Sequence, residues 1–272
     1  MVLARPPKPH SQSAGSQEGL LLLMFWIIAF GLAWAITVPL ALAQLGVIES
    51  APIPPGAGNL IGLAPAIAAF AAAAAYGQTR ALLARTVRIG APVSSWVLAV
   101  GLPVAWVIGA AALRDFLGAE GIDIGVSADL AVFAAIWLVL ALGEEIGWRA
   151  YALPMMIKQS GFWRAATLLG VIWAVWHYPK LLSSPFVESV PQAVPLILQF
   201  TVQIVLANYV LCWLFLRSRL AAPVAAAFHA TFNVVATAYP LAGVDPYLTA
   251  CIAFCVLVIL VFDRRIEVDD AH

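Results

Sequence analysis

Long apolar stretches separated by short polar connections constrain this chain more than any single residue does. Eight can be traced: Gly19 to about Leu45, Leu60 to Tyr76, Val93 to Leu113, Leu130 to Gly147, Ala165 to Leu182, Val194 to Leu216, Ala221 to Tyr239 and Tyr247 to Phe262. A helix needs about 20 apolar residues to cross the hydrocarbon core of a bilayer, and these stretches reach or approach that length. Within lipid a helix satisfies its own backbone, so the expected fold is all-α, a polytopic bundle of about eight transmembrane helices. Composition excludes a water-soluble globule. Of 272 residues, 63% are hydrophobic and 10% charged, with a mean hydropathy of +0.96, whereas soluble domains carry about 25% charged residues.

The cations fix the expected orientation. With the N-terminus inside, cytoplasmic segments hold Arg5, Lys8, Arg80, Arg85, Arg88, Arg149, Lys158, Arg164, Arg217, Arg219, Arg264 and Arg265, twelve of the fourteen Lys and Arg residues. Only Arg114 and Lys180 fall outside, and a Lys/Arg excess marks cytoplasmic loops. Both termini are therefore expected in the cytoplasm. Residues 1–18, polar and rich in proline, read as a disordered cytoplasmic tail, 19–262 as the transmembrane domain and 263–272 as a second cytoplasmic tail. The first span ends in Ala41-Leu42-Ala43-Gln44, which resembles a cleavage site. It is much longer than the core of a signal peptide, so an uncleaved anchor is expected. No basic cluster points to nucleic acid. The lipid bilayer is the expected partner, and Cys212, Cys251 and Cys255, all in apolar segments, read as embedded hydrophobes.

Against this background the ionisable residues inside spans stand out, because a charge at the centre of a membrane helix costs about 2.5–3.5 kcal/mol on insertion scales. Glu144 and Glu145 end the apolar run of the fourth span, with Arg149 one turn further on. Glu145 and Arg149, at i and i+4, can pair on a helix. Glu144 is rotated by about 100° from its neighbour and faces something else. His177 lies in the fifth span, one turn after Trp173, and His229 lies in the seventh, one turn before Asn233. At helical rise His229 is about 15 Å past Arg219 and His177 about 20 Å past Arg164, so His177 is expected to sit deepest.

A carboxylate, two imidazoles and a carboxamide at similar depth suit amide hydrolysis. Glu144 can take a proton from water as general base, and an imidazole can orient that water or pass the proton to the leaving amine. Asn233 and the second imidazole can donate to the developing oxyanion. The same residues also suit zinc, with Glu144, His177 and His229 as ligands and water in the fourth position. The HExxH spacing is absent, and the sequence leaves metal-bound and metal-free water both open.

Glu144-Glu145-x-x-x-Arg149, Trp173-x-x-x-His177 and His229-x-x-x-Asn233, in that order on the fourth, fifth and seventh spans, resemble the three motifs of the CPBP family. This family comprises the type II CAAX prenyl endopeptidases and their bacterial relatives, sometimes called Abi proteins, and the resemblance covers about Leu130 to Tyr239. It implies an eight-helix intramembrane endopeptidase with its site open to the cytoplasm, acting on a membrane-bound peptide or protein in a bacterial inner membrane. Glu144 and His177 would activate water, His229 and Asn233 would bind the oxyanion, and Glu145 with Arg149 would hold the fourth helix in place. The family's second motif commonly has Phe where this chain has Trp173, a change that keeps an aromatic spacer. The family has been described both as metalloproteases and as glutamate-dependent without metal. Prenyl-peptide cleavage remains an association of the family.

Two other functions fit the same residues: a non-catalytic immunity or adaptor protein that binds a peptide in the cavity, and a transporter whose carboxylates relay protons. Gln199, Gln203 and Asn208 of the sixth span either line a cavity beside the site or bond to neighbouring helices. Trp148 and Trp163 read as interfacial anchors, Trp173 and Trp176 as walls of the site. Pro179 is placed to kink or end the fifth helix.

Overall fold

The computed structural model describes residues 10–54, 56–119, 130–239 and 245–263. The acidic positions Glu120, Asp123 and Asp129, and the terminal stretches 1–9 and 264–272 with His272, lie outside the described residues.

Among the described residues all regular structure is helical. Helix α1 (His10–Gln44) begins well before the expected Gly19, because no proline interrupts the chain after Pro9 until Pro39. A 3₁₀ turn (Ala57–Leu63) leads into α2 (Ala64–Ala75). The basic connection, expected as a loop, contains a short helix, α3 (Thr79–Thr86), and α4 (Val93–Phe116) follows Pro92. The fourth span does not stop near Gly147. Helix α5 (Leu130–Glu145) widens into a π-helical segment (Ile146–Ala152) and continues as α6 (Leu153–Ser160). Gly161, at φ 74°, then takes up a backbone that other residues rarely adopt and turns the chain into α7 (Phe162–Leu182). Helices α8 (Val190–Arg217), α9 (Ala222–Ala238) and α10 (Pro246–Phe262) each carry proline in the first turn, where its missing N–H costs nothing.

Five segments are long and apolar enough to cross a membrane: the Gln17–Gln44 part of α1, the 3₁₀ turn with α2, α4, the α5-to-α6 rod and α8. Helices α9 and α10 are shorter and apolar, and α7 spans 21 residues. The surface matches a lipid solvent. Leu20, Leu23 and Ile27 of α1, Val132, Ile136 and Val139 of α5, and Phe254, Leu257 and Val261 of α10 are exposed, while Glu145, Arg149 and Asn208 are buried. This is an integral, multi-pass membrane protein.

Small residues let the helices approach. Ala68, Ala69, Ala72 and Ala73 of α2 are fully buried in the core beside α1. Behind α5 the approach is closer still: a Cβ on Gly147 would lie 2.3 Å from Pro65 Cβ and 2.7 Å from its carbonyl carbon. Helix α5 packs chiefly along α9, and α7 along α8.

Polar contacts gather at the two ends of the bundle. At one end Lys158 reaches Glu18 (2.5 Å), Arg217 reaches Asp263 (2.5 Å) and Arg88 donates to the Arg219 carbonyl (2.5 Å). At the other, Arg114 pairs with Asp245 (3.4 Å), Tyr239 donates to Asp245, Lys180 donates to Asn59 (3.2 Å) and Gln44 donates to the Val187 carbonyl (3.0 Å). The cation-rich segments of the sequence thus share one end.

Gly147→Ala is expected to lower the thermal midpoint of the purified protein by the equivalent of about 1–3 kcal/mol, the usual cost of overpacking. Gly101→Ala, where a Cβ meets no atom within 4 Å, leaves it unchanged.

Candidate functional site

The site is built from the floor upward, and its floor is Glu145. This carboxylate, 0% exposed, accepts from Arg149 Nη1 at 3.0 Å and from His229 Nδ1 at 2.9 Å through the same oxygen, Oε1. The pair anticipated at i, i+4 therefore forms, at the junction where α5 opens into the π-helical segment. Arg149 is equally buried. Its Nη2 donates to Asn208 Oδ1 at 2.6 Å, and its guanidinium lies over the Trp173 ring, 4.3 Å from the centroid. Asn208 in turn donates to the Ala166 carbonyl at 2.7 Å, tying α8 to α7. A charge without such partners would be prohibitive at this depth.

Glu144 faces the other way, as the helical rotation requires. Its Oε2 accepts from Trp173 Nε1 at 2.9 Å. His177 Nδ1 lies 2.9 Å from the Trp173 carbonyl. A carbonyl has no proton to give, so this ring nitrogen is the donor and Nε2 carries the lone pair in the neutral ring. His229 is likewise held by Nδ1, on Glu145. Trp173 touches both imidazoles, with ring centroids at 5.7 Å and 5.2 Å.

Glu144, His177, His229 and Asn233 line one cavity of about 320 Å³ between α5, α7, α8 and α9. The remaining walls are mostly apolar, among them Phe200, Ile204, Leu211, Phe228 and Phe232. Glu145 and Arg149 stay beneath this cavity, outside its lining. The same cavity was the expected place for zinc. Among the described residues no three His, Cys, Asp or Glu side chains form a group able to hold a metal ion, while the contacts of the two Nδ1 atoms and of Glu144 Oε2 leave both Nε2 atoms and Oε1 uncommitted.

Other expectations change. Trp148 is not an interfacial anchor; it is 0% exposed, stacked on Trp26 at 5.8 Å and edge-on to Phe25 and Trp176. Burial of the π-helical segment on all sides draws it inward. Trp176 does not wall the cavity but donates to the Ala29 carbonyl (3.2 Å), fastening α7 to α1. Gln199 and Gln203 bond to Thr249 of α10 (2.7 and 2.9 Å), away from the site. Helix α7 runs through Pro179 to Leu182, so that proline does not end it. Trp173 is more than a spacer, since it is the donor on Glu144. The signal was present, because a buried indole N–H nearly always finds an acceptor. Asn208 bonds to neighbouring helices, the second of its two expected roles, but no local spacing relates it to Arg149, 59 residues away.

Residues 126–235 match the family described as Rce1-like, type II CAAX prenyl endopeptidase. Over 110 residues the chain is 28% identical to CAAX prenyl protease 2 of Methanococcus maripaludis, covering 40% of this chain and 41% of that protein. The match thus spans about two fifths of the length of the curated relative, and the family window contains all three motifs. Both matches support the CPBP/CAAX family for this chain.

Arg149→Ala is expected to destabilise the fold by about 3–5 kcal/mol, since it strands Glu145 in the interior. Asn208→Ala should cost about 1–3 kcal/mol through one unmet donor. Thermal unfolding in detergent checks both, with Gln199→Ala, remote from the network, as the comparison.

Proposed function

We propose that the protein is an intramembrane endopeptidase that hydrolyses a peptide bond of a membrane-associated peptide or protein with water activated by Glu144. The observation that carries this reading is the convergence of Glu144, His177, His229 and Asn233 on one largely apolar cavity. The family match over the same residues supports it.

The arrangement suggests a division of labour. Trp173 holds one oxygen of Glu144, which leaves the other to take a proton from water as that water attacks the carbonyl carbon. His177, with Nδ1–H fixed on a backbone carbonyl, offers the Nε2 lone pair to orient the same water. The proton then moves to the departing amine as the carbon–nitrogen bond breaks. On the other side Asn233 can donate to the oxyanion. His229 has spent Nδ1–H on Glu145, so Nε2 donates only as the imidazolium, whose charge the Glu145 carboxylate would balance. Glu145 and Arg149 act through His229 and Trp173 and need not meet the substrate.

The assignment to a bacterial inner membrane rests on the resemblance to bacterial members. Prenylated substrates rest on the family likewise. A binding-only adaptor would retain activity in a Glu144→Gln variant, whereas a transporter whose carboxylates relay protons would lose it too and is told apart by proton-coupled flux in vesicles.

Glu144→Gln, purified and folded, is expected to lose cleavage of a transmembrane peptide library by at least about 100-fold. Asn233→Ala should lower turnover by about 100- to 1000-fold with little change in KM. Trp173→Phe keeps the aromatic packing and removes the donor, so turnover should fall while thermal stability stays near wild type. Cleavage is expected to survive a chelator, measured beside elemental analysis of the pure protein; loss of activity together with a bound metal would restore zinc to the site.

A further inference from the structure

A second polar cavity lies at the cation-rich end of the bundle, apart from the one that contains Glu144. It has a volume of about 270 Å³ and sits between α3, the π-helical segment and α6, with Gln78, Ala81, Arg85, Tyr151 and Lys158 in its lining. The sequence builds its outer wall locally. Gly77, at φ 71°, turns the chain after α2, and α3 then buries Leu82 while Leu83 and Val87 stay exposed. A short helix with arginines at 80, 85 and 88 beside exposed apolar side chains suits the boundary between hydrocarbon and water.

Every polar side chain of the lining can donate a hydrogen bond, and none is acidic. Arg85 donates Nη1 to the Ala150 carbonyl at 2.7 Å and pairs with no carboxylate among the described residues. Burial, and then the charge of Arg88, hold its pKa below the ordinary guanidinium value, as happens to a cation short of a counter-charge. Lys158 meets Glu18 at 2.5 Å, but its side chain is 66% exposed and keeps further N–H donors. Tyr151 is 4% exposed, with its ring against Phe25, and its hydroxyl has no hydrogen-bond partner among the described residues. A buried hydroxyl in that condition is uncommon and calls for an acceptor. The positive end of α3 adds to the field, since its N-cap, Gln78, offers no side-chain cap.

We infer that this cavity is a binding site for a phosphate group, held by Arg85, Lys158 and the Tyr151 hydroxyl. Donors from two separate elements, two of them cationic, match an anion with several acceptor oxygens, and basic pockets between helices at the membrane surface take lipid headgroups. A phospholipid would bring its chains past Leu83 and Val87, and a soluble phosphomonoester would offer the same oxygens. Either would clamp α3 to the widened turn that also carries Arg149, because Arg85 is already bonded to Ala150 there. The inference rests on the fold alone and holds whether or not the protein cleaves peptides.

Lipid titration of the full-length protein in a maltoside detergent, followed by native mass spectrometry, tests this. Wild type should bind phosphatidylglycerol and should not bind diacylglycerol, which has the same chains without the phosphate. Arg85→Gln and Tyr151→Phe should each weaken that binding about 10-fold, the loss expected for one hydrogen bond to a charged group. Tyr151→Phe is the sharper variant, because the hydroxyl it removes has no partner in the fold. Arg164→Gln takes one positive charge from the same end outside the cavity and should bind like wild type. Glycerol 3-phosphate separates the two sources: binding at least about 10-fold weaker than phosphatidylglycerol identifies a lipid headgroup, and comparable binding a soluble phosphate. Both results uphold the site when they depend on Arg85 and Tyr151. Failure of both phosphates to bind, equal binding of diacylglycerol, or indifference of the bound phosphate to either substitution overturns it.

Discussion

A single carboxylate oxygen, Glu145 Oε1, lies under everything the cavity contains. It receives the guanidinium of Arg149 and the imidazole of His229 together. In water such a pair would contribute little, because screening and side-chain entropy consume most of the attraction. Deep among apolar helices neither charge has an alternative partner, so the geometry is enforced by the cost of breaking it. The pair therefore matters less as a source of stability than as a constraint on which helices can stand where. Arg149 reaches α8 through Asn208 and the face of Trp173 on α7, and Glu145 reaches α9 through His229. Four rods are held in register by one ion pair and its ligands.

Trp173 is the second consequence of that constraint. With one face under the Arg149 cation, its indole edge is turned to Glu144 and its backbone carbonyl to His177. One residue thus links the buried charges to the groups that meet the cavity. A phenylalanine would satisfy the packing and the cation but would leave Glu144 Oε2 to another donor.

Much of this was legible in the sequence, for reasons that differ from residue to residue. The spans declared themselves because lipid requires length and apolarity together. The Glu145–Arg149 pair was legible because i, i+4 spacing is local, and the four cavity residues stood out because ionisable groups inside spans are rare. What was hidden depended on which helix stands beside which. Nothing in the spacing of α8 showed that Asn208 would meet Arg149. Nor did the run around Trp148 show that this indole would be enclosed by Phe25, Trp26 and Trp176 instead of lying at the interface.

The π-helical segment between α5 and α6 carries a consequence for the lineage of such chains. A π turn accommodates one more residue than the α turn it replaces. Side chains on either side of it are offset by about 100° from the phase of an uninterrupted α-helix. Here the upper part turns its face to α9 while the lower part turns to α7, and the widened turn between them sits against α2. A deletion of one residue in Ile146–Ala152 would close the widened turn into a regular helix while the flanking parts keep their present faces, so its effect would fall on the turn itself, where Gly147 meets Pro65 and Arg149 meets Glu145.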